Sequence, residues 1–475
     1  MRKLLLVLLT VLIVAVSVGC SAQRTTIPGT DSTQSTTPGS SGTNATGTPP
    51  TGTPPTGTPP TGTAPTASTS SSYTITGAYA QSSSTQTKTG QTYAASKTDE
   101  SAVYVTKTGL LTLADAMVTS TGDTSSQDNS SFHGLNAAVL AADGGTIHMT
   151  GGTITTSGLG ANGAFATGTG STVTLTKTKI NAVGDGGHAV MATAGGSMTL
   201  TDVEMTTAGK NSGAIATDRG GGTITATGCT VTAKGVDSPA IYSTGAISVA
   251  NSTLLATGAE AAVIEGANSI TLTNSSLSST KASKWGVLIY QSFSGDAQGS
   301  LGTFAVTGGS LKDTASASPL FYVTNTKAVI TLKGVDVSVA SGIFINAAGS
   351  TRWGTSGSNG GTVEFTADGQ TIAGSVVADR ISTVALTLKN GSSLTGTIDA
   401  AKTAKSVSLV LDASSKWTVT ADSHLTSLTD SAIAGVTVSN IISNGHTVTY
   451  VSSADPGLGG KTYTLSGGGT LKPAG

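Results

Sequence analysis

The feature that most constrains this chain is a recurrence. Short apolar runs return at nearly fixed spacing after Gly or Pro corners, among them AAVLA (137–141), GAFAT (163–167), HAVMAT (188–193), GAIAT (213–217), PAIYST (239–244) and GVLIYQ (286–291). With Val139, Phe165, Val190, Ile215, Ile241, Val263 and Val287 as anchors, the steps are 26, 25, 25, 26, 22 and 24 residues. The steps on to Phe321, Phe344 and Val377 are 34, 23 and 33, so two of the repeats carry insertions. Each repeat also holds a strictly alternating segment, such as TVTLT (172–176), SMTLT (197–201), TITAT (223–227) and SITLT (269–273). Seven residues after the first apolar position of each comes another: Ile180, Met205, Val231 and Leu277.

No repeat can bury these residues alone, whereas stacked repeats build a continuous core and pair every strand with its neighbours. The expectation is an all-β chain, a right-handed parallel β-helix (a solenoid of about 25 residues per coil) with coils ~4.8 Å apart. An antiparallel β-sandwich is the weaker alternative, because nothing in a sandwich requires corners to recur at one period for over two hundred residues. Composition agrees: 63 glycines and only 10% charged residues suit tight corners and Thr/Val strands better than helices. The net charge of -1 offers no basic face for nucleic acid.

The ends differ in texture. Residues 1–20 (MRKLLLVLLTVLIVAVSVGC) join a basic start to an apolar stretch too short for a comfortable span, which is the pattern of an export signal. Its end, Ser17-Val18-Gly19-Cys20, resembles a bacterial lipobox, which implies lipidation at Cys20 and a lipoprotein on the cell surface or the outer face of a bacterial membrane. The alternative is plain secretion with cleavage after Ala22. Residues 21–72 are Ser, Thr, Gly, Pro and Ala with tandem TGTPP, the composition of a disordered linker. The β-helix is expected over 73–400, with final coils and a C-terminal cap over 401–475. Cys229, the other cysteine, reads as a small buried thiol.

The coils resemble those of bacterial adhesin-like right-handed parallel β-helix proteins. LVLDASSKWTVTADSHLTSL, with Trp417, is similar to the C-terminal passenger region of pertactin-like autotransporters, although no membrane β-barrel sequence follows it. The resemblance is one of fold and brings no catalytic motif. It implies a surface-displayed, adhesin-like or structural binding protein whose partner is an extracellular polysaccharide or a cell surface. Membrane contact is expected through the lipid anchor only, and the chain is expected to be a monomer with no cofactor and no metal.

Candidate ligand-binding residues follow from register. Asp218 and Arg219 lie three and four residues after Ile215, the offsets at which Tyr290 and Gln291 follow Val287; Glu265 lies two after Val263. Trp285 precedes Val287, and Arg352 and Trp353 open RWGTSGSNGG (352–361) inside an insertion. These groups gather along one edge where an elongated ligand could lie; the plainer reading is solvated corners, with the two tryptophans covering gaps in the stack. Asp218 and Glu265 sit two coils apart, ~10 Å along the axis, near the ~6.5–9.5 Å separation of inverting glycosidase carboxylates. That is the basis of an alternative, a polysaccharide-degrading glycoside hydrolase or lyase using Asp218 and Glu265. A third reading, an ice-binding solenoid, rests on the Thr columns of the alternating segments. DRGGG (218–222) is followed by a strand rather than a helix, so it is not a phosphate loop.

Overall fold

The structure, a computed structural model, describes residues 73–315 and 317–474. The export signal, Cys20 and the stretch 21–72 lie outside the described residues. The chain is an all-β parallel solenoid of about 16 coils, with about 25 residues per turn. Strands recur with a stride of three, so each coil gives one strand to each of three sheets. The first sheet has 12 strands, from Thr76–Ser82 to Ser375–Ala378. The second has 14, from Thr85–Thr89 to Ser427–Asp430. The third has 10, from Thr92–Ala95 to Asp336–Val339, and a separate sheet of nine strands begins at Thr371–Ala373. Pairing is parallel until the last coils, where Ile433–Ala434 and Tyr463–Ser466 fold back in antiparallel pairs.

The corners show why the sequence repeats as it does. Most second-sheet strands are followed by a residue with positive φ, including Lys177 (53°), Asp202 (54°), Gly228 (69°), Asn251 (50°) and Asn274 (47°). Asn, Asp and Gly tolerate that left-handed conformation best, which accounts for the Asn, Asp and Gly after most alternating segments. The next position packs inside, where the Cys229 amide donates to Ser252 Oγ (2.9 Å) and the Ser252 amide to Ser275 Oγ (3.1 Å). Cys229 therefore takes a place that serine holds in neighbouring coils, is 1% exposed, and has its thiol pushed up by burial. Elsewhere, Gly158, Gly184, Gly209, Gly235 and Gly258 form a column in which any Cβ would lie within about 2 Å of the glycine carbonyl one coil below.

The pairing corrects the register of four anchors. Val139 is aligned with Ala164, Val190, Ile215, Ile241, Ala262 and Val287, so Phe165 and Val263 stand one residue further on. Val376 rather than Val377 pairs with Ile345, and a bulge lies beside Phe344. The reason is that first-sheet strands are buried on both faces, so hydrophobicity does not distinguish inward from outward positions, and a one-residue slip goes unseen. Inward residues form one long core, with an edge-to-face aromatic stack Phe304–Phe321–Phe344–Phe365 at 5.1–5.7 Å between centroids. Outward residues form a second apolar cluster running through Leu140, Phe165, Met191, Ala216, Tyr242, Val263, Leu288 and Tyr322.

A candidate binding edge roofed by inserted segments

An apolar stripe on the outside of a sheet must be covered or it attracts other surfaces. Here inserted segments cover it. The first contains a short helix, α1 (Gln127–His133), started by Ser126, whose side chain accepts from the Asn129 amide, and ended by Gly134 at φ 75°. Thr193 Oγ1 donates to the Phe132 carbonyl (2.8 Å), and Ser130 Oγ donates to the Gly160 carbonyl, which latches the helix across two further coils. The second segment, residues 291–300, follows the first-sheet strand Val287–Tyr290; the third, residues 348–361, follows Ile343–Ala347. Both leave at the same corner of their coils, so they fall on the same side of the solenoid.

Under the second segment the expected residues meet. Glu265 is 2% exposed, and its carboxylate accepts the Tyr242 and Tyr290 hydroxyls at Oε2 (2.6 Å each). Its Oε1 accepts the hydroxyls of Ser292 and of Ser294 (3.2 Å), both from the roofing segment. Asp218 is 1% exposed; its Oδ1 accepts the Arg219 amide (2.7 Å), while Oδ2 is buried without a partner. Arg219 leaves that corner to donate through Nε (3.0 Å) and Nη2 (2.6 Å) to Asp296 Oδ1 in the roof, with its guanidinium 3.9 Å from the centroid of the Phe132 ring of α1. One arginine thus ties two covering segments together. Gly220 (φ 78°) and Gly221 (φ 64°) then turn the chain into the second-sheet strand Gly222–Thr227, which is what the glycine run is for.

The aromatic candidates form an adjoining layer. Trp285 stacks on Tyr322 (4.4 Å, 16°), and Trp353 packs against Tyr290 (4.7 Å) and Trp285 (6.2 Å). Trp353 is 1% exposed and its indole N–H is unpartnered; Arg352 lies over the Trp353 ring at 5.1 Å. Gln291 donates to the Ser292 (3.1 Å) and Ala297 (3.0 Å) carbonyls and holds the base of the roof, its Oε1 buried without a partner. All eight candidates therefore share one patch, but at different depths. Asp218, Glu265, Tyr290 and Trp353 are buried, while Arg219, Trp285, Gln291 and Arg352 keep part of their surface in solvent.

Electrostatics inside the patch are acidic. Burial, joined by the nearby Asp296 charge, pushes the Asp218 carboxyl well above its usual range against the pull of Arg219. Burial likewise raises Asp296 to about 6, opposed by its bonds to Arg219. Sequence reasoning missed Asp296, Tyr242 and the two serines. The available signal for Asp296 was that it is the one acidic residue in the insertion SFSGDAQG (292–299); nothing local marks Tyr242, whose role depends on the coil above it. Among the described residues no group of three or more His, Cys, Asp or Glu side chains is placed to hold a metal ion. His188 is fully buried, with Nδ1 3.0 Å from the Gly213 carbonyl, and burial lowers it to about 4.

No family model matches this chain, and no curated protein matches its sequence.

Proposed function

We propose that this chain is an exported, surface-displayed binding protein that holds an extracellular polysaccharide or a cell-surface glycan along the roofed edge of its first sheet. The observation that carries this reading is convergence. Residues from five coils and two insertions form one aromatic and hydrogen-bonding patch, with Trp285, Arg219, Gln291 and Arg352 at its solvent side. An indole face beside planar guanidinium groups supplies the stacking surface and the donors to hydroxyl oxygens that a sugar chain uses. The adhesin-like and pertactin-like resemblances rest on the coil pattern and on the segment around Trp417, and they support the same reading. Anchoring by a lipid on Cys20 belongs to it, with residues 21–72 as spacer; radiolabelled palmitate should enter the wild-type chain and not Cys20→Ser.

A glycan array probed with the purified chain tests the binding reading. Retention on at least one polysaccharide, weakened about tenfold or more by Trp285→Ala, is the expected outcome; no retention on any glycan or intact cell sinks it. A second reading, polysaccharide cleavage, is favoured by the raised carboxyls of Asp218 and Asp296, since a carboxyl held above its usual range is suited to general-acid work. Glu265 fits that chemistry less well, because both its oxygens are engaged by hydroxyl donors. Release of shortened oligosaccharides that disappears in Asp218→Asn would establish this second reading. Ice binding draws support from the exposed columns of the second sheet, where Thr174, Thr199, Thr225, Ser248 and Thr271 stand in register, though His148, Ala246 and Ala250 interrupt the array. Thermal hysteresis of the purified chain decides it.

A further inference from the structure

The roof over the outer stripe has a gap near its start. Between the segment around Tyr73 and helix α1 lies an open cleft of about 370 Å³, lined by Tyr73, Tyr104, His133, Asp143, Thr167 and Gly168 among others. We propose that this cleft binds one neutral hexopyranose ring of a glycan, as a site separate from the edge around Trp285. The volume lies at the lower end of the ~300–1,000 Å³ usual for small-ligand sites, which fits a single ring.

The lining explains the ligand class. Tyr73 and His133 stack in parallel at 4.5 Å and 15°, forming one aromatic wall. Tyr104 continues the outward ladder, aligned with Leu140, and is half-buried, so part of its ring is open to a ligand. Asp143 sits on an exposed left-handed corner (φ 49°), and its Oδ2 accepts the Thr106 hydroxyl (3.3 Å). Its other oxygen is a ready acceptor for a sugar hydroxyl. Thr193 Oγ1 gives its one proton to the Phe132 carbonyl, so Thr167 donates its own to Thr193 Oγ1 (2.9 Å) and keeps a lone pair for a ligand hydroxyl. Aromatic surface with a carboxylate and a hydroxyl oxygen offers a sugar ring a stacking plane and two acceptors for its hydroxyls.

Charge removes anionic ligands. Asp143 repels anions, and its field is felt at Tyr73, whose hydroxyl is raised by burial and then by Asp143. Burial and the nearby Arg219 charge lower His133, so that ring adds no positive charge to the cleft. The sugar assignment therefore rests on the stacking faces and the hydroxyl partners, and the choline arm of the test separates it from a cation held by Asp143 and the rings. This inference rests on the polysaccharide-binding reading for its ligand class, but it stands on different residues, five to seven strands away along the first sheet from Tyr290.

The test is saturation-transfer difference NMR on the full chain with methyl glucopyranoside, methyl galactopyranoside and methyl mannopyranoside, and with choline as the cationic control. Wild-type protein should give signal with at least one glycoside and none with choline. Read in the Trp285→Ala chain, where glycoside held at the edge contributes least, Tyr104→Ala and Asp143→Asn should each reduce that signal about tenfold, the scale of one lost stacking plane or one charged acceptor. Asparagine also tolerates the left-handed corner, so Asp143→Asn tests chemistry rather than folding. Signal from choline alone, no signal from any glycoside, or signal lost in Trp285→Ala and kept in Tyr104→Ala each overturns the cleft. The last of these outcomes supports the Trp285 edge instead. A cleft-dependent signal alongside an empty glycan array keeps the cleft and removes the edge.

Discussion

At the residue scale, two buried titratable groups should give opposite pH responses in one molecule. Asp296 holds its proton up to about 6, against an ordinary carboxyl value of 3.8. The folded roof therefore binds that proton more tightly than the unfolded chain does. Its contribution to stability is present below about pH 4 and is lost as pH rises to about 6, by up to roughly 3 kcal/mol. Asp218 is shifted in the same direction, which steepens the slope. His188 runs the other way, since its folded value of about 4 lies below the ordinary 6.5. Its contribution is complete above pH 6.5 and falls by roughly 3 kcal/mol as the unfolded chain takes up the proton on the way to pH 4. Hydrogen exchange, corrected for intrinsic rates, should show residues 291–300 better protected at pH 5 than at pH 7 and residues 190–193 less protected. Asp296→Asn should weaken the first response, leaving the part due to Asp218, and His188→Gln should abolish the second; protection independent of pH at both places would refute the two assignments.

At the element scale, the covering segments depend on a few latches. Helix α1 has only seven residues, too few to be stable alone, so its cap and its tertiary bonds decide whether it forms. Ser126→Ala should cost about 1 kcal/mol and should loosen the cover over Phe165 and Met191, read as faster exchange in α1 with the three sheets unaffected. Uniformly faster exchange through the solenoid would contradict the helix as a separate cover. The same latch logic makes Arg219 a structural as well as a surface residue, because it contacts Phe132 of α1 and Asp296 of the second segment. An alanine there should loosen both covers together.

At the scale of the whole molecule, each coil contacts chiefly its two neighbours, so damage should stay local. Phe321 occupies the middle of the internal aromatic stack between Phe304 and Phe344. Phe321→Ala should cost about 3–5 kcal/mol, with lost protection concentrated in the coils from Val287 to Ala378 and the coils before Thr193 unchanged. Protection lost equally from end to end would show one cooperative unit instead. The antiparallel returns at Ile433–Ala434 and Tyr463–Ser466 end the parallel stacking at the C-terminal side, where an open edge would otherwise invite pairing with another chain.

The sequence by itself determined the solenoid. A coil is a local unit, and its period, alternating strands and Asn, Asp or Gly corners are written in every repeat, from TVTLTK to SITLTN. It also located the two later insertions, though not the one that carries α1, and singled out Asp218, Glu265, Trp285 and Trp353 as one group, because register along a stacked fold translates sequence offset into proximity. Tertiary structure alone decided which face those groups take and how deep they lie. First-sheet strands are apolar on both sides, so Phe165 and Val263 could be read as inward until pairing fixed them as outward. Where an insertion folds back is a matter of long-range packing, not of local propensity. The meeting of Asp296 with Arg219, 77 residues apart, and of two tyrosines from different coils on Glu265, has no local signature.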